Sequence, residues 1–477
     1  MSDRHGRRCA RPGAKRVTDC LLPNDHAGAT RPVSLVAPET LAAVLADLPG
    51  LAQGFARANA FDGKAGSFVL LPGADGSVAG ALFGIGSSAD PVHNPLLAGR
   101  LPALLPEGDW RFEGPVAEPA LAALGFALGS YRFNRYSGAA AKAVRLVVGA
   151  GVDLAGVAAQ VDAIVLGRDM INTPANDMGP AEIAAVARAE AERAGASVRE
   201  IVGDELLAAN FPLIHAVGKG SARAPRIVEF SWGEPSHPKV TLVGKGVAFD
   251  TGGLDIKPSS GMILMKKDMG GAASILALAR MIVDAKLPVR LRVIIPTVEN
   301  SVSGRAMRPS DVYPSRKGPT VEIGNTDAEG RLILADALAL ADEEAPDLLV
   351  DFATLTGAAR VALGPDLPPF YTHDDELAAE IQKTAHAVAD PLWRLPLWLP
   401  YGGWIDSKIA DVSNNSSAPF AGSITAALFL DRFVVNARSW VHVDIYGWNP
   451  AAKPGRPEGG EVQAARALFE VIRARYV

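Results

Sequence analysis

DLLVDFATLTG (347–357) carries an almost unbroken apolar run from Leu348 to Ala353, interrupted only by Asp351. A run of that kind suits a strand in a sheet covered on both faces. Before it lies RLILADALALADEEA (331–345), read as a helix, and before that the strand VRLRVIIPTVEN (289–300). Further upstream come the helix GGAASILALARMIVDA (270–285), the strands KVTLVGKGVAF (239–249) and PRIVEFSW (225–232), and the Ala-rich helix PAEIAAVARAEAERAGA (180–196). Strands alternating with helices predict a mostly parallel, doubly wound sheet, with ligands beyond the carboxyl ends of its strands.

The first third reads as a smaller α/β unit. SFVLLPGA (67–74), GALFGIGS (80–87) and AVRLVVGAG (143–151) read as short strands, and EPALAALGFALGSYRF (118–133) has helical spacing. A further helix over 153–172 carries the expected domain boundary. The expectation is a disordered basic tail over 1–28, an N-terminal α/β domain over 29–160, and a larger α/β/α domain over 161–477 with a mostly parallel central sheet. A length of 477 residues with 48% hydrophobic and 21% charged residues fits two domains with sizeable cores.

The net charge of −5 hides an asymmetry. Residues 1–16 hold six Lys/Arg against one Asp, so the rest of the chain stands at −10. An acidic body argues against a general nucleic-acid binder. Cys9 and Cys20 are the two cysteines, which excludes a disulfide scaffold and a thiolate metal cluster in the body. The longest charge-free stretch, 412–430, contains SNNSS, Pro419 and Gly422 and is no membrane span. No apolar segment follows the basic tail as in a secretory signal, so the cytoplasm is the expected location.

Two segments place charge at the expected strand ends: VGKGVAFDTGGLDIKPSSGMILMKKDMGGAA (243–273) and NTDAEGRL (325–332). Taken singly, each acid in them reads as a solvated loop charge. Gathered, they would repel and protonate unless a divalent cation neutralised them. The pattern leaves both readings open. Competing motifs fail: Gly244-Lys245-Gly246 has no GxxxxGK[ST] around it, and neither a placed GxGxxG nor an HExxH occurs. His442 in WVHVDIYGW (440–448) reads as a packed core residue. Trp393, Trp398, Tyr401 and Trp404 read as core or a subunit interface rather than a base-stacking surface.

NTDAEGRL, with VGKGVAFDTGG, IKPS, KKDMGGAA, INTPAND (171–177) and DFATLTGA (351–358), resembles the leucyl aminopeptidase (cytosol aminopeptidase) family of dimetal exopeptidases. The resemblance covers most of residues 165–477. It implies a metal-dependent aminopeptidase that removes N-terminal amino acids from peptides with a water activated by two divalent ions, Zn or Mn. The implied ligands are Lys245, Asp250, Asp268, Asp327 and Glu329, with Asp250 and Glu329 bridging the ions. Lys257 is implied to stabilise the oxyanion, and Arg331 to hold a bicarbonate that shuttles the proton. Met265, Thr354 and Gly357 would line the side-chain pocket, and Leu355 would supply a backbone carbonyl. The family's usual assembly implies a homohexamer. A second reading is a DNA-binding accessory role, supported by the basic tail alone. Where better-known members continue HLDIAG, this chain has His442-Val443-Asp444-Ile445-Tyr446-Gly447-Trp448. The bulk of Tyr446 and Trp448 predicts a preferred N-terminal residue other than leucine, smaller or polar.

Overall fold

The computed structural model describes residues 16–87, 89–90, 92–114, 116–137 and 142–477. Most of the expected basic tail, residues 1–15, lies outside the described residues. The chain forms two compact units: residues 1–165 with 453–457, and residues 166–452 with 458–477. The division falls inside the helix Leu154–Asn172, a few residues beyond the expected boundary at 160. Among the described residues no helix is long and apolar enough to cross a membrane.

The first unit holds a six-stranded sheet in the order Leu21–Leu22, Val144–Val147, Gly108–Glu113, Arg31–Val36, Val78–Gly84, Phe68–Pro72. All neighbours are parallel except the last pair. Leu21 pairs with Leu146 and Leu22 with Val147, and residues 17–20 form a short 3-10 helix. Ordered structure therefore starts before residue 29, where the sequence reading ended its tail. Two adjacent leucines carry too short a pattern to be read as a strand until partners are known. Val36, Ala56, Phe61, Val69 and Leu82 form the core on one side.

The second unit is built on a larger sheet. Its strands run in the order Trp393–Arg394, Pro369–Tyr371, Trp440–Asp444, Leu348–Ala353, Lys239–Gly244, Arg290–Asn300, Arg226–Trp232, Ser197–Val202. Gly246–Asp250 also pairs with Arg290–Asn300. The middle strands are parallel, with Val350 opposite Val441 on one side and Leu242 on the other. Antiparallel pairs occur outside them, at Arg226–Trp232 with both its neighbours and between Pro369–Tyr371 and Trp440–Asp444. Every residue of Leu348–Ala353 is buried, as its apolar run requires.

Helices cover both faces. Pro180–Ala194, Gly270–Asp284 and Ala465–Tyr476 pack together on one. Pro212–Gly218, Glu329–Asp342 and Gly422–Asp431 pack on the other, where Val243, Ile294, Leu349, Leu334, Leu338 and Phe429 share one core. The sequence-predicted helices and strands of this unit fall within a few residues of their observed positions. The sequence reading missed Ser197–Val202, whose Val-Arg-Glu alternation on an edge strand carries little apolar signal.

One buried ion pair ties the end of the boundary helix to the C-terminal segment. Arg168 and Glu461, with side chains 1% and 4% exposed, meet at 2.9 Å, and Asn449 donates a further hydrogen bond to Glu461 at 2.5 Å. Changing Arg168→Met leaves a buried carboxylate without its cation, and urea unfolding should show a loss of ~3–5 kcal/mol. The double change Arg168→Met with Glu461→Leu should recover most of it. A single variant as stable as the parent would show that the pair contributes nothing.

Candidate metal centre

Lys245, Asp250, Asn300, Thr354 and Asp444 all stand at or just past the carboxyl ends of the middle strands, where a doubly wound sheet places its ligand. The backbone around Lys245 is clamped on both sides. Its N–H donates to the Phe352 carbonyl at 3.0 Å, and its carbonyl accepts from Ala272 N–H at 2.9 Å. Two glycines permit the approach. A Cβ at Gly271 would lie 2.2 Å from the Phe352 oxygen, and one at Gly330 would lie 2.5 Å from Lys245 Cε. The glycines of KKDMGGAA and NTDAEGRL thus clear a path for one buried lysine side chain.

That side chain ends among acids. Lys245 Nζ lies 2.8 Å from Asp268 Oδ2 and 2.9 Å from Glu329 Oε1, and donates to the Thr354 carbonyl at 2.9 Å. Thr354 Oγ1 in turn donates to Asp268 Oδ1 at 2.8 Å. Asp250 takes hydrogen bonds on Oδ1 from Gly252 N–H and Asn300 Nδ2, both at 2.8 Å, while its Oδ2 lies 2.8 Å from Lys257 Nζ. Lys257 Nζ also donates to Asp327 Oδ1. Asp250, Asp327 and Glu329 present oxygens that all lie within 4.8 Å of one another.

Burial makes these charges interdependent. Burial opposes the charge on Lys245, but Asp268, Glu329 and Asp250 outweigh it and hold the ammonium above the usual lysine range. Lys257 is held high likewise, burial being overcome by Asp250 and Glu329. The Asp250 carboxyl is pushed up to about 6 by burial and by Asp268. Glu329 is pushed well above the carboxylate range by burial and by Asp250. Asp268 goes the other way: burial would raise it, but Lys245 and Lys267 hold it down.

Carboxylates that resist ionising at such proximity are short of positive charge, and hard oxygen donors clustered in this way suit a divalent cation. Asp268 Oδ2 and Glu329 Oε1 are buried, and among the described residues the Lys245 ammonium is the only polar partner that either oxygen meets. The donor set therefore fits divalent metal.

Arg331, two residues past Glu329 on the helix Glu329–Asp342, is buried and donates to the Asn414 carbonyl at 2.7 Å. Burial lowers its pKa to about 10, still leaving it cationic at neutral pH. Leu355 N–H is held by Asp444 Oδ1 at 2.9 Å. Met265 is half-buried at the start of the short 3-10 helix Met265–Met269, which also carries Asp268. Gly357 opens the helix Gly357–Leu363, with open space where a Cβ would stand.

Of the sequence-selected residues, Lys245, Asp250, Lys257, Asp268, Asp327, Glu329 and Thr354 form one connected cluster. Arg331, Leu355, Met265 and Gly357 lie on the elements that carry it. Three supporting residues escaped the sequence reading: Asn300, which holds Asp250; Asp444, which holds the 354–356 turn; and Asn414. The last accepts from the N–H groups of Gly324 and Asn325 and donates to the Asn325 and Ala328 carbonyls, pinning the NTDAEG loop. Their partners are 50 to 90 residues away in sequence, and an Asn or Asp at a strand end carries no local signal of such a role.

His442 is a core residue as expected, fully buried, with Nδ1 2.6 Å from Asp351 Oδ1. Trp393 and Trp398 are half exposed, while Tyr401 and Trp404 stack at 3.9 Å.

A two-unit α/β chain with this acid and lysine cluster at its strand ends has the architecture of a metal-dependent hydrolase. Residues 165–469 match the family described as "Cytosol aminopeptidase family, catalytic domain", and residues 31–149 match "M17 aminopeptidase, N-terminal domain". The chain is 39% identical over 366 residues to a probable cytosol aminopeptidase of Syntrophotalea carbinolica, covering 73% of each chain. Against that of Agrobacterium fabrum it is 43% identical over 320 residues, 66% of this chain and 63% of the relative. Among solved structures it is similar to a cytosol aminopeptidase from Coxiella burnetii, with TM-score 0.91 and 44% identity over 96% of this chain and 100% of that one. It is also similar to the bottromycin maturation enzyme BotP in complex with Mn, with TM-score 0.85 and 33% identity over 94% of this chain and 100% of that one. The chain belongs to the cytosol aminopeptidase family, and with it to the metallo-exopeptidase hydrolases.

The Gly330 contact makes a direct test of the cluster. A Gly330→Ala variant must displace the Lys245 side chain, and elemental analysis after loading with zinc should find less metal than in the parent. Unfolding should show an overpacking cost of ~1–3 kcal/mol. Parent-like metal content would separate Lys245 from metal binding.

Proposed function

We propose that this chain is a two-metal aminopeptidase of the cytoplasm, removing single residues from the free N-termini of peptides. The observation that carries the reading is the convergence of Asp250, Asp327 and Glu329 beside two buried lysines at the strand ends. Lys245, Asp250, Asp268, Asp327 and Glu329 would hold the ions, as the family resemblance implies. Two divalent ions, Zn or Mn, would lower the pKa of a shared water to near neutrality and polarise the scissile carbonyl.

The chain's own residues do the rest. Lys245 could hold metal only as a neutral amine, so it would have to give up the proton that Asp268 and Glu329 now stabilise. Lys257, poised beside Asp250 and Asp327, steadies the oxyanion that develops on the substrate. Arg331 keeps its proton and cannot be a general base. It would instead hold a bicarbonate ion, which could supply a proton acceptor beside the site. The Leu355 carbonyl, on a turn fixed by Asp444, accepts from the leaving amine. Met265, Thr354 and Gly357 line the pocket for the first side chain.

A homohexamer is the assembly we propose, with the exposed Trp393, Trp398, Leu399 and Phe420 available for burial between subunits. Light scattering should report six times the mass of one chain. The DNA-binding alternative rests on basic residues that lie almost wholly outside the described residues, and nothing in the second unit supports it.

Hydrolysis of aminoacyl anilides should stop on chelation and return with Mn or Zn; no activity in either condition overturns the reading. Lys257→Met should lower kcat by ~10²–10³ while bound metal stays at the parent level. An unchanged kcat would remove Lys257 from the mechanism.

A further inference from the structure

Among the described residues, three cations beside the candidate metal centre, Lys266, Lys267 and Arg360, have no carboxylate partner. Lys266 and Lys267 are adjacent on the segment that ends in Asp268, and they are used differently. Lys266 donates to the Asn172 carbonyl at 2.7 Å. Lys267 is only 6% exposed, yet among the described residues it makes no ion pair; its ammonium rests 4.7 Å from the centre of the Tyr446 ring. Arg360, on the outer side of the helix Gly357–Leu363, is exposed. Its guanidinium lies 5.2 Å from the same ring, and Nη1 donates to the Tyr446 hydroxyl at 3.4 Å.

This group abuts the reacting centre. Gly447, next to Tyr446, lies so close to Thr354 that a Cβ on it would stand 3.1 Å from Thr354 Cγ2. Thr354 is the residue whose hydroxyl binds Asp268 and whose carbonyl takes a hydrogen bond from Lys245. The acids nearby are already engaged. Asp268 is held by Thr354 and Lys245, and Asp444 by the N–H groups of Leu355 and Thr356 and by the Thr356 hydroxyl. An aromatic face returns only part of the hydration an ammonium loses on burial. An anion brought by the substrate would return the rest, and a guanidinium fork beside it offers paired hydrogen bonds to a carboxylate.

We propose that Lys267 and Arg360, gathered on the Tyr446 ring, form a carboxylate-binding subsite that makes the enzyme prefer N-terminal glutamate or aspartate over their amides and over leucine. The inference rests on the aminopeptidase reading and narrows the sequence expectation of a smaller or polar residue to an acidic one. Tyr446 supplies the platform: its ring carries both cations, and its hydroxyl, while accepting from Arg360, keeps its own hydrogen to donate.

The test is a panel of glutamyl, glutaminyl, aspartyl, asparaginyl and leucyl anilides with the manganese-loaded full chain. Anilides have no terminal carboxylate, so a preference for glutamyl over glutaminyl reports the side chain alone. The expected ratio of kcat/KM is about tenfold, the scale of one charge-assisted hydrogen bond. The ratio should fall toward one in Lys267→Met and drop in Arg360→Met, the second change lying on the surface and leaving the fold unburdened. Hydrolysis of the leucyl anilide with no acid preference overturns the subsite and leaves the aminopeptidase reading standing. A preference shown only for dipeptides with free carboxylates over their amides assigns the cations to the peptide's other end and overturns it too. No hydrolysis of any anilide removes both readings together.

Discussion

Asp250, Asp268, Asp327 and Glu329 converge on Lys245 and Lys257 where the middle strands end, and burial makes each charge depend on its neighbours. A carboxylate or ammonium taken out of water is tolerated only when paired or when metal supplies the balance. Lys245 is held by Asp268 and Glu329, Lys257 by Asp250 and Asp327. The raised pKa of Asp250 and of Glu329 shows that these pairings leave positive charge wanting. The rest of the second unit is arranged so that most of this cluster is shielded from solvent, with Asp327 at its open side.

That arrangement is mostly backbone. A parallel sheet covered on both faces brings the ends of its middle strands together at one edge of a largely apolar core. Gly271 and Gly330 let helix and strand approach until one lysine side chain threads between them. Around this clamp, polar side chains fix the loops that bear the acids: Asn300 on Asp250, Asn414 on the 324–328 loop, Asp444 on the 355–356 turn. A site so supported is pre-ordered, and its geometry does not depend on mobile surface loops.

The alternation of apolar runs with Ala- and Leu-rich helices was strong enough to place most large elements between residues 180 and 357, because strands buried on both faces leave an unbroken apolar signature. The helices Asp375–Ala387, Gly422–Asp431 and Ala465–Tyr476 were not read. Strand direction was less legible. Arg226–Trp232 reads as a strand, but its antiparallel placement beside Arg290–Asn300 depends on the connection before it, which has no side-chain pattern. Leu21–Leu22 was assigned to the tail because two residues show no period, and only their pairing with Leu146 and Val147 makes them a strand. Ser197–Val202, an edge strand with Arg199 and Glu200 at its centre, escaped because it carries little apolar signal.

The sequence by itself determined the chemistry available: which acids and lysines follow apolar strands, in what order, and with which glycines beside them. Set against the family's pattern it also exposed the departure at Tyr446, which needs no structure to be noticed. Only the tertiary structure decided which of those charges meet. Lys266 and Lys267 are indistinguishable as letters, yet one donates to a backbone carbonyl and the other is buried against a ring, with no carboxylate partner among the described residues. Such a difference comes from contacts made across more than ninety residues of chain, and a local sequence window carries no information about them.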